Sequence, residues 1–445
     1  MKGVGNGSII DEWLLRHHDG TPPSTLDHAW RGEYKWSHHA SDDSSLEVFA
    51  NVIESEESES STAQSRAKRK VVNCNRWTAS ERLHRDYFCE EPKYDDDFFE
   101  DRYRMPKRLF LKIVHDLESR YAYFQDSYDA RLAKSFTPIQ KCTSAIRQLA
   151  TGNPPDEYDE YLEMAGRTSR ECLQVFCDAI VDTYKTEYLR KPTTHDLQRL
   201  FEAHEERHHL PGMIGSLDYT HLVWKMCPME WRGQYKRGDH EYPTIMLEAM
   251  ASQDLWIWHT FFGPPGALND INVLQQSPLF LPERMGTAPY VPFSVNGRTY
   301  RRGYYLVDSI YLTWSTFVKA YKYPTDLKEK MFKTAQDAAR KDIERAFGVL
   351  KGKWHIIDRP FRQRSLGTIR NLVYACVILH NMIIQDSGRA ICPVHIGDLV
   401  VRPSSHRDAL PEIQDEETHF RLRYDLTEHL AGLNLPHLQP NDDEE

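Results

Sequence analysis

The chain has 445 residues, a hydrophobic content of 40% and a formal net charge of −10. This length and apolar content predict at least one large core and two or three domains. No apolar stretch resembles a signal peptide or is long enough for a membrane span, so we expect an intracellular protein without a membrane partner. The eight cysteines include no Cys-x-x-Cys pair, which argues against a zinc finger and a disulfide scaffold.

The negative charge is concentrated towards the two ends of the chain. Residues 41–62 carry seven acids and no Lys or Arg, and residues 408–445 carry eleven acids and two arginines. Without these two segments the formal charge is +6. We therefore expect a mildly basic body between acidic tails, although net charge bears on non-specific binding and not on fold.

Both ends are predicted to be tails with little regular structure. Residues 1–72 are polar, rich in Ser and Glu and without periodicity, which is typical of disorder. Residues 391–445 are acidic and rich in Pro, and we predict a mostly disordered tail there with one helix around residues 420–430.

A basic cluster ends the first tail. It consists of Arg66, Lys68, Arg69 and Lys70. The cluster is compatible with a solvated charge run and equally with a nuclear-import signal. The second interpretation predicts a nuclear protein.

Residues 73–205 have the pattern of a helical domain. Thr137 and Pro138 are a favourable N-cap and first residue for a helix that Gly152 would end. A short helix is predicted near residues 157–164, followed by a turn.

The next helix completes the outline of a helix-turn-helix. Thr168 and Glu171 have the spacing of a capping box and predict its start. Arg170 and Gln174 would then contact DNA from the first turn of this last helix. An ordinary helical bundle remains the alternative, because helix pairs of this shape are common in all-α folds.

Residues 206–390 change to a pattern of strands and helices. Runs of β-branched and aromatic residues predict strands over residues 213–224, 244–251, 255–262 and 304–307. Helical periodicity predicts a short helix from about residue 269 and long helices over residues 326–353 and 368–385. An antiparallel hairpin followed by interleaved strands and helices favours a mixed α/β layer fold.

Four acids lie at or just after these predicted elements. Asp218 is within the first strand, Asp270 follows the third, Asp308 ends the fourth, and Glu344 is on the long helix. A carboxylate at the edge of a core is costly unless it binds a cation. Oxygen ligands suit hard divalent ions, and a pair of such ions can assist a phosphoryl displacement. Because the chain has 66 acids, a capping or surface role stays open for each of the four.

Six sequence blocks give a more specific indication. They are GSLDYTHLVWK, WRGQYKRGDHEYPTIMLEA, GALNDINVLQQSPLF, GYYLVDSIY, ARKDIERAFGVLKGKW and ILHNMII, in this order. They resemble the successive blocks of plant PIF/Harbinger transposases, particularly the Pong and Ping branch, over about residues 75–390. The resemblance implies an RNase H-like catalytic core with an Asp-Asp-Glu site that cuts and joins DNA with Mg²⁺ or Mn²⁺. It also implies a separate Myb-like DNA-binding partner, and we expect a homo-oligomer.

The resemblance assigns roles to the four acids. Asp218 corresponds to the first catalytic acid and Glu344 to the last. An RNase H-like core has its second aspartate at the end of the fourth strand, which favours Asp308. Asp270 also matches a family block and is expected to be a further metal ligand or a neighbour of the ligands.

Basic residues flank these acids in the sequence. Lys225, Arg232, Lys236 and Arg237 lie between the first two predicted strands, and Arg340, Arg345 and Lys351 share the helix of Glu344. A positive rim beside a metal site suits a DNA backbone. A solvated helix face is the alternative explanation of the second set.

Two functions of different classes are compatible with the sequence. The first is an active cut-and-paste transposase. The second is a domesticated relative that keeps the fold as a chromatin or protein-interaction module without catalysis. The presence of an acid at every matched position favours the first, because a binding module has no use for them.

Overall fold

The computed structural model describes residues 74–128, 134–284, 288–397 and 410–433, with Leu435 and Leu438. These residues belong to one compact unit. The predicted N-terminal tail and its basic cluster of Arg66, Lys68, Arg69 and Lys70 lie outside the described residues.

A layer of helices precedes the first strand of the sheet. The helices are α1 (Arg76–Tyr87), α2 (Asp96–Tyr103), α3 (Lys107–Arg120), α4 (Pro138–Thr151), α5 (Asp159–Leu162), α6 (Gly166–Tyr188) and α7 (Thr194–His208). Their interior is aromatic: the rings of Phe99 and Tyr103 stack, and Phe110 packs edge-on against both. Because short helices are marginal alone, this packing supplies most of their stability.

The caps of α4 and α6 differ in how well the sequence predicted them. Thr137 and Gln140 form a capping box at the start of α4, and Gly152 ends the helix with a φ of 64°, as predicted. The predicted capping box at Thr168 is wrong, because α6 already begins at Gly166. Ser169 is buried inside the first turn, where its hydroxyl lies 2.6 Å from that of Ser144 on α4.

A five-stranded mixed sheet forms the centre of the second half. Its strands are β1 (Met213–Val223), β2 (Thr244–Ala251), β3 (Ile257–Pro265), β6 (Tyr304–Val307) and β7 (Phe317–Lys319), while β4 (Phe293–Val295) and β5 (Arg298–Tyr300) form a separate hairpin. The order across the sheet is β3-β2-β1-β6-β7. Strands β1, β2 and β3 pair antiparallel, whereas β6 pairs parallel with both β1 and β7. This is the mixed sheet of an RNase H-like core, as predicted.

Helices follow and cover the sheet. They are α8 (Arg232–Tyr235), α9 (Asp270–Gln276), α10 (Leu281–Arg284), α11 (Leu327–Lys353), α12 (His355–Asp358), α13 (Leu366–Asp386), α14 (Leu410–Ile413) and α15 (Glu416–Gly432). Helix α11 crosses β1, since the Ser216 hydroxyl donates to the Ala339 carbonyl at 3.1 Å. Helix α13 joins the sheet to the helical layer through buried Asn381, whose amide donates to the carbonyls of Tyr188 and Ile257.

Strand β3 is longer than predicted. The Gly263-Pro264-Pro265 sequence was expected to end it, but the strand continues to Pro265, which lies opposite Ile245 across an irregular register. The prolines are tolerated because β3 is at the edge of the sheet, where a missing N–H costs no ladder hydrogen bond on the outer side.

The core also extends beyond the predicted boundary at residue 390. Helix α15 packs on β7 and α11 and buries Leu422, Leu426 and Leu430. Buried His419 donates from Nδ1 to the Phe317 carbonyl at 2.8 Å. A mostly disordered tail was predicted here, with one helix around residues 420–430.

One helix among the described residues, α13, is long and apolar enough to cross a membrane by length and composition. However, 72% of its most apolar window is buried inside the fold. Its composition is therefore accounted for by its place in the core.

The buried carboxylate of Asp425 provides a test of the docking of α15. It accepts hydrogen bonds from Asn296 and Arg298 at 3.0 Å and from the Tyr300 hydroxyl at 2.5 Å. We expect Asp425→Ala to lower the free energy of unfolding by about 2–3 kcal/mol, because it leaves these donors without their acceptor. Urea unfolding followed by circular dichroism measures it. The control Glu417→Ala, with a side chain that is 84% exposed, should change stability by less than about 0.5 kcal/mol; equal effects would contradict the docking.

Candidate active site

The first acid of the site is held by the central strand. Asp218 lies in β1 opposite Ala249, on the face that also carries Ser216 and Thr220. Helix α11 covers this face, as shown by the hydrogen bond of Ser216 to the helix. The Asp218 side chain is 25% exposed, and its Oδ1 accepts from the Tyr219 backbone N–H at 2.8 Å. A carboxylate is thus held at the edge of the core.

The parallel pairing of β1 with β6 brings a second acid beside the first. Ser216 lies opposite Leu306 in this pairing. Asp218 is two residues after Ser216, and Asp308 is two residues after Leu306 and directly follows β6. Continuation of this register places the two acids side by side on the same face. The Ser309 backbone N–H donates to Asp308 Oδ1 at 2.6 Å and fixes the orientation of that carboxylate.

Helix α11 carries the third acid to the same place. Glu344 is four residues after Arg340, so both side chains lie on one face of the helix. Arg340 Nη1 is 3.0 Å from Glu344 Oε1 and 3.5 Å from Asp218 Oδ2. The guanidinium group therefore lies between a carboxylate of the helix and a carboxylate of the sheet.

The pKa of Asp218 shows that the three acids share one electrostatic environment. Burial is the largest cause that raises this pKa from 3.8 to about 6, and the negative charges of Glu344 and Asp308 raise it further. The Tyr219 N–H and the positive charge of Arg340 act in the opposite direction. Mutual repulsion of clustered carboxylates is the usual cost of preparing a cation site.

The donor set of this site fits a hard divalent cation. All three side chains offer carboxylate oxygens, which Mg²⁺ and Mn²⁺ prefer. Arg340 already places positive charge between two of them. Within the described part of the chain, no three His, Cys, Asp or Glu side chains are gathered closely enough to enclose an ion. In this structure the guanidinium group of Arg340 lies between Glu344 and Asp218.

For the fourth predicted acid, Asp270, the position of the backbone is described. Asp270 begins α9, after the end of β3. Pro265, the last residue of β3, is level with Leu222, four residues beyond Asp218 along β1. The sheet thus aligns the backbone of Asp308, and not that of Asp270, with Asp218. The assignment of Asp308 as the middle catalytic acid stays a prediction, as does the role of Asp270.

The basic residues between β1 and β2 are exposed. They are Lys225, Arg232, Lys236 and Arg237. Arg237 pairs with exposed Asp239 at 3.2 Å, and Lys225 lies over the Tyr242 ring at 5.9 Å. This segment starts where β1 ends, beyond Asp218, and offers positive charge to solvent there.

The three basic residues of α11 are engaged within the protein. Arg340 bridges the acids, and Arg345 pairs with buried Asp342. Lys351 Nζ donates to the Thr220 hydroxyl at 2.9 Å, and burial lowers its pKa. The contacts of Arg340 with Asp218 and of Lys351 with Thr220 hold α11 over β1, whereas the Arg345 pair lies within α11. Sequence spacing did not reveal this role.

The predicted helix-turn-helix residues lie elsewhere on the surface. Arg170 and Gln174 are exposed on the first half of α6. They line a groove of about 200 Å³ together with Arg364, which belongs to the segment between α12 and α13. The order α4, α5, α6 matches the predicted helix, short helix and longer helix.

Two features of the site were missed by reasoning from sequence. The first is the bridge formed by Arg340, although its four-residue spacing from Glu344 was a usable signal. The second is an aromatic support: the rings of Tyr219 and Tyr311 stack 5.5 Å apart, and the Tyr311 N–H donates to the Asp308 carbonyl. No sequence pattern indicated that contact between distant tyrosines.

Comparisons with known proteins relate the chain to transposon proteins. A family model described as "Plant transposon protein" matches residues 186–391, which include the whole sheet and the segments of all four acids. A second model, a domain of unknown function, matches residues 80–118 in the helical layer.

Two curated relatives from Arabidopsis thaliana cover most of the chain. Protein ALP1-like is 23% identical over 346 residues, or 76% of this chain and 83% of the relative. The protein named Antagonist of Like Heterochromatin Protein 1 is 22% identical over 349 residues, or 76% of this chain and 85% of the relative. No solved structure matches the chain significantly.

The burial of Asp218, together with the repulsion from Glu344 and Asp308, predicts a pH-dependent effect on stability. Because folding raises the pKa of Asp218 from 3.8 to about 6, its ionisation destabilises the fold progressively as the pH rises between these values. We expect Asp218→Asn to raise the free energy of unfolding by roughly 1–2 kcal/mol near pH 7.5, with little effect near pH 3.5. Urea unfolding in chelator at both pH values measures it. A destabilised variant at pH 7.5 would contradict the repulsion.

Proposed function

We propose that this chain, which is similar to plant transposon proteins over residues 186–391, is an active, metal-dependent DNA transposase of the PIF/Harbinger type. It would cut DNA at transposon ends and join the cut ends to target DNA. The observation that supports this most directly is the alignment of Asp218 with Asp308 by the β1–β6 pairing, with Glu344 of α11 linked to Asp218 through Arg340.

Asp218, Asp308 and Glu344 are the residues that would hold Mg²⁺ or Mn²⁺, with Asp270 as a further member of the site. When bound, such ions supply a more acidic water and neutralise charge on the phosphate. In the first reaction, water attacks the phosphorus of a transposon-end phosphodiester and the 3′ oxygen leaves. In the second, the freed 3′ hydroxyl attacks the phosphorus of a target phosphodiester, and the 3′ oxygen of the target strand leaves.

The residues around the acids would orient these reactions. The backbone N–H groups of Tyr219 and Ser309 each fix one carboxylate oxygen of the two strand acids. Arg340 holds the charges of Asp218 and Glu344 apart before a cation enters. Once displaced, its guanidinium group would be close enough to pair with a phosphate oxygen, for which its planar donors are suited.

The exposed basic residues would position the DNA without reading its sequence. Lys225, Arg232, Lys236 and Arg237 lie beyond the end of β1, where a backbone leaving the acids would pass. Contacts to phosphates set register and carry no base specificity. We therefore propose that a separate Myb-like protein recognises the transposon ends, that the chain acts in the nucleus, and that it works as a homo-oligomer so that two ends can be joined together.

A second function is favoured by one comparison. A relative is named as an antagonist of Like Heterochromatin Protein 1. This chain could likewise be a domesticated module that binds chromatin proteins through its RNase H-like surface. The two candidates differ in one respect: only the transposase requires the acids of the site.

Substitution of each acid tests the transposase proposal. Asp218→Ala, Asp308→Ala and Glu344→Ala should each abolish cleavage of a transposon-end duplex, with losses above the ~10–100-fold typical of residues that only support metal ligands. The measurement is strand cleavage by the purified protein with its Myb-like partner in Mg²⁺ or Mn²⁺. Glu202→Ala, at an exposed position of α7, is the control and should cleave normally.

The same assay distinguishes the other outcomes. Cleavage should fail in chelator and in Ca²⁺, whose larger and looser ligand shell suits the in-line reaction poorly. Normal cleavage by Asp308→Ala together with inactive Asp270→Ala would overturn the choice of middle acid. Absence of cleavage by the unmodified protein, with intact binding to chromatin proteins, would favour the second function.

A further inference from the structure

The segment between α12 and α13 forms a fixed, arginine-rich surface that we call the arginine strap. It is the sequence Arg-Pro-Phe-Arg-Gln-Arg at residues 359–364. Phe361 is 2% exposed, and its N–H donates to the Val223 carbonyl at 2.8 Å. The Trp224 indole N–H donates to the Gln363 carbonyl at 2.7 Å. The strap is thus bonded to the end of β1 and is not a free loop.

This anchoring turns the arginines outward. With Phe361 directed into the core, Arg362 and Arg364 are exposed, as is Arg359. Over the ranges that the structure describes, none of the three has a carboxylate within ion-pairing distance. Uncompensated arginines on a rigid backbone are typical of surfaces that bind anions.

The strap faces the helical layer across a groove. Arg364 lines one wall, and Arg170 and Gln174 of α6 line the other. The acids here are Asp358, Glu171 and Asp178, and Asp178 already accepts from the Asn371 amide at 2.7 Å. Arg167 and Arg370 are also exposed. Together with the arginines of the strap they outnumber these acids, so the surface around the groove has a net positive charge.

The strap is also continuous with the basic segment after β1. The Met226 N–H donates to the Phe361 carbonyl at 3.3 Å. Lys225 and the strap therefore lie next to each other at the end of β1. A positive surface that runs from α6 over the strap to this segment fits a long polyanion better than a single phosphate. A DNA backbone is such a polyanion.

The distance between the strap and the acids can be estimated along β1, because the strap is bonded to the end of that strand. Val223 is five residues after Asp218 in β1, which corresponds to roughly 17 Å at about 3.3 Å per residue. The rise of B-form DNA is about 3.4 Å per base pair. For DNA whose axis follows β1, the strap lies about five base pairs from a phosphate held at the acids.

We propose that the arginine strap and Arg170 bind the phosphates of duplex DNA about five base pairs from the cleaved bond. This inference rests on the proposed function for the location of that bond, but duplex binding by the strap does not depend on cleavage. The strap would hold the DNA between the RNase H-like sheet and the helical layer. Its phosphate contacts would add affinity for any sequence.

Binding of the full-length protein to a terminal duplex tests the proposal. Fluorescence anisotropy at several salt concentrations should show that Arg362→Ala/Arg364→Ala weakens binding by about tenfold and reduces the salt slope by roughly two. The matched control is Arg120→Ala/Arg207→Ala, which removes two exposed arginines from α3 and α7. It should leave both quantities unchanged.

A second measurement locates the contact. Neutral methylphosphonates placed about five base pairs from the acid-proximal phosphate should weaken binding of the unmodified protein and have no further effect on the strap variant. The proposal is overturned if the strap variant binds DNA like the control. It is also overturned if an acidic peptide displaces the labelled duplex from the strap as effectively as unlabelled duplex DNA does. Failure of cleavage with a normal strap effect would count against the proposed function only.

Discussion

The parallel hydrogen bonding of β1 to β6 is the constraint on which the candidate site depends. It aligns Ser216 with Leu306, and the alternation of a strand then leaves Asp218 and Asp308 side by side on one face. The Asp218 carboxylate does not gain from this position alone, because burial and like charge raise its pKa to about 6. The rest of the fold stabilises an arrangement that is locally unfavourable.

Helix α11 is the element that makes this arrangement tolerable. It brings Glu344, which adds to the repulsion, and Arg340, which opposes it. The helix is fixed over the sheet by the contacts of Ser216 and Lys351 and by Gln336, whose amide donates to the carbonyls of β6 and β7. A cluster of carboxylates of this kind lowers the stability of the fold, but it strongly favours the binding of a positive charge.

Much of the fold could be predicted from sequence because the elements that carry the site have strong local signals. The bounds of β2 and β6 agree with their apolar runs, and α11 begins one residue after its predicted start at residue 326. Elements that depend on distant contacts were missed. The short strand β7 has no periodicity to detect, and the role of α15 depends on Asp425 meeting a hairpin more than a hundred residues earlier.

The candidate site was predicted in part for the same reason. Its acids could be assigned from blocks of sequence. The distances between them depend on the register in which the strands pair, and no single block of sequence determines that register. Arg340, Arg345 and Lys351 were predicted as DNA contacts from their charge. The structure gives each of them an internal partner, because a helix packed on a sheet turns part of its charged face inward.

The most direct test of the account is to map a bound cation onto the chain. Fe²⁺ placed in the metal-free protein, with ascorbate and peroxide, produces hydroxyl radicals that cut the polypeptide close to the ion. The account predicts cuts near residues 218, 308 and 344, three segments that meet only in the folded protein, and their suppression by excess Mg²⁺ or Mn²⁺. Cuts confined to other segments, or a pattern unchanged in Asp218→Ala, would contradict it.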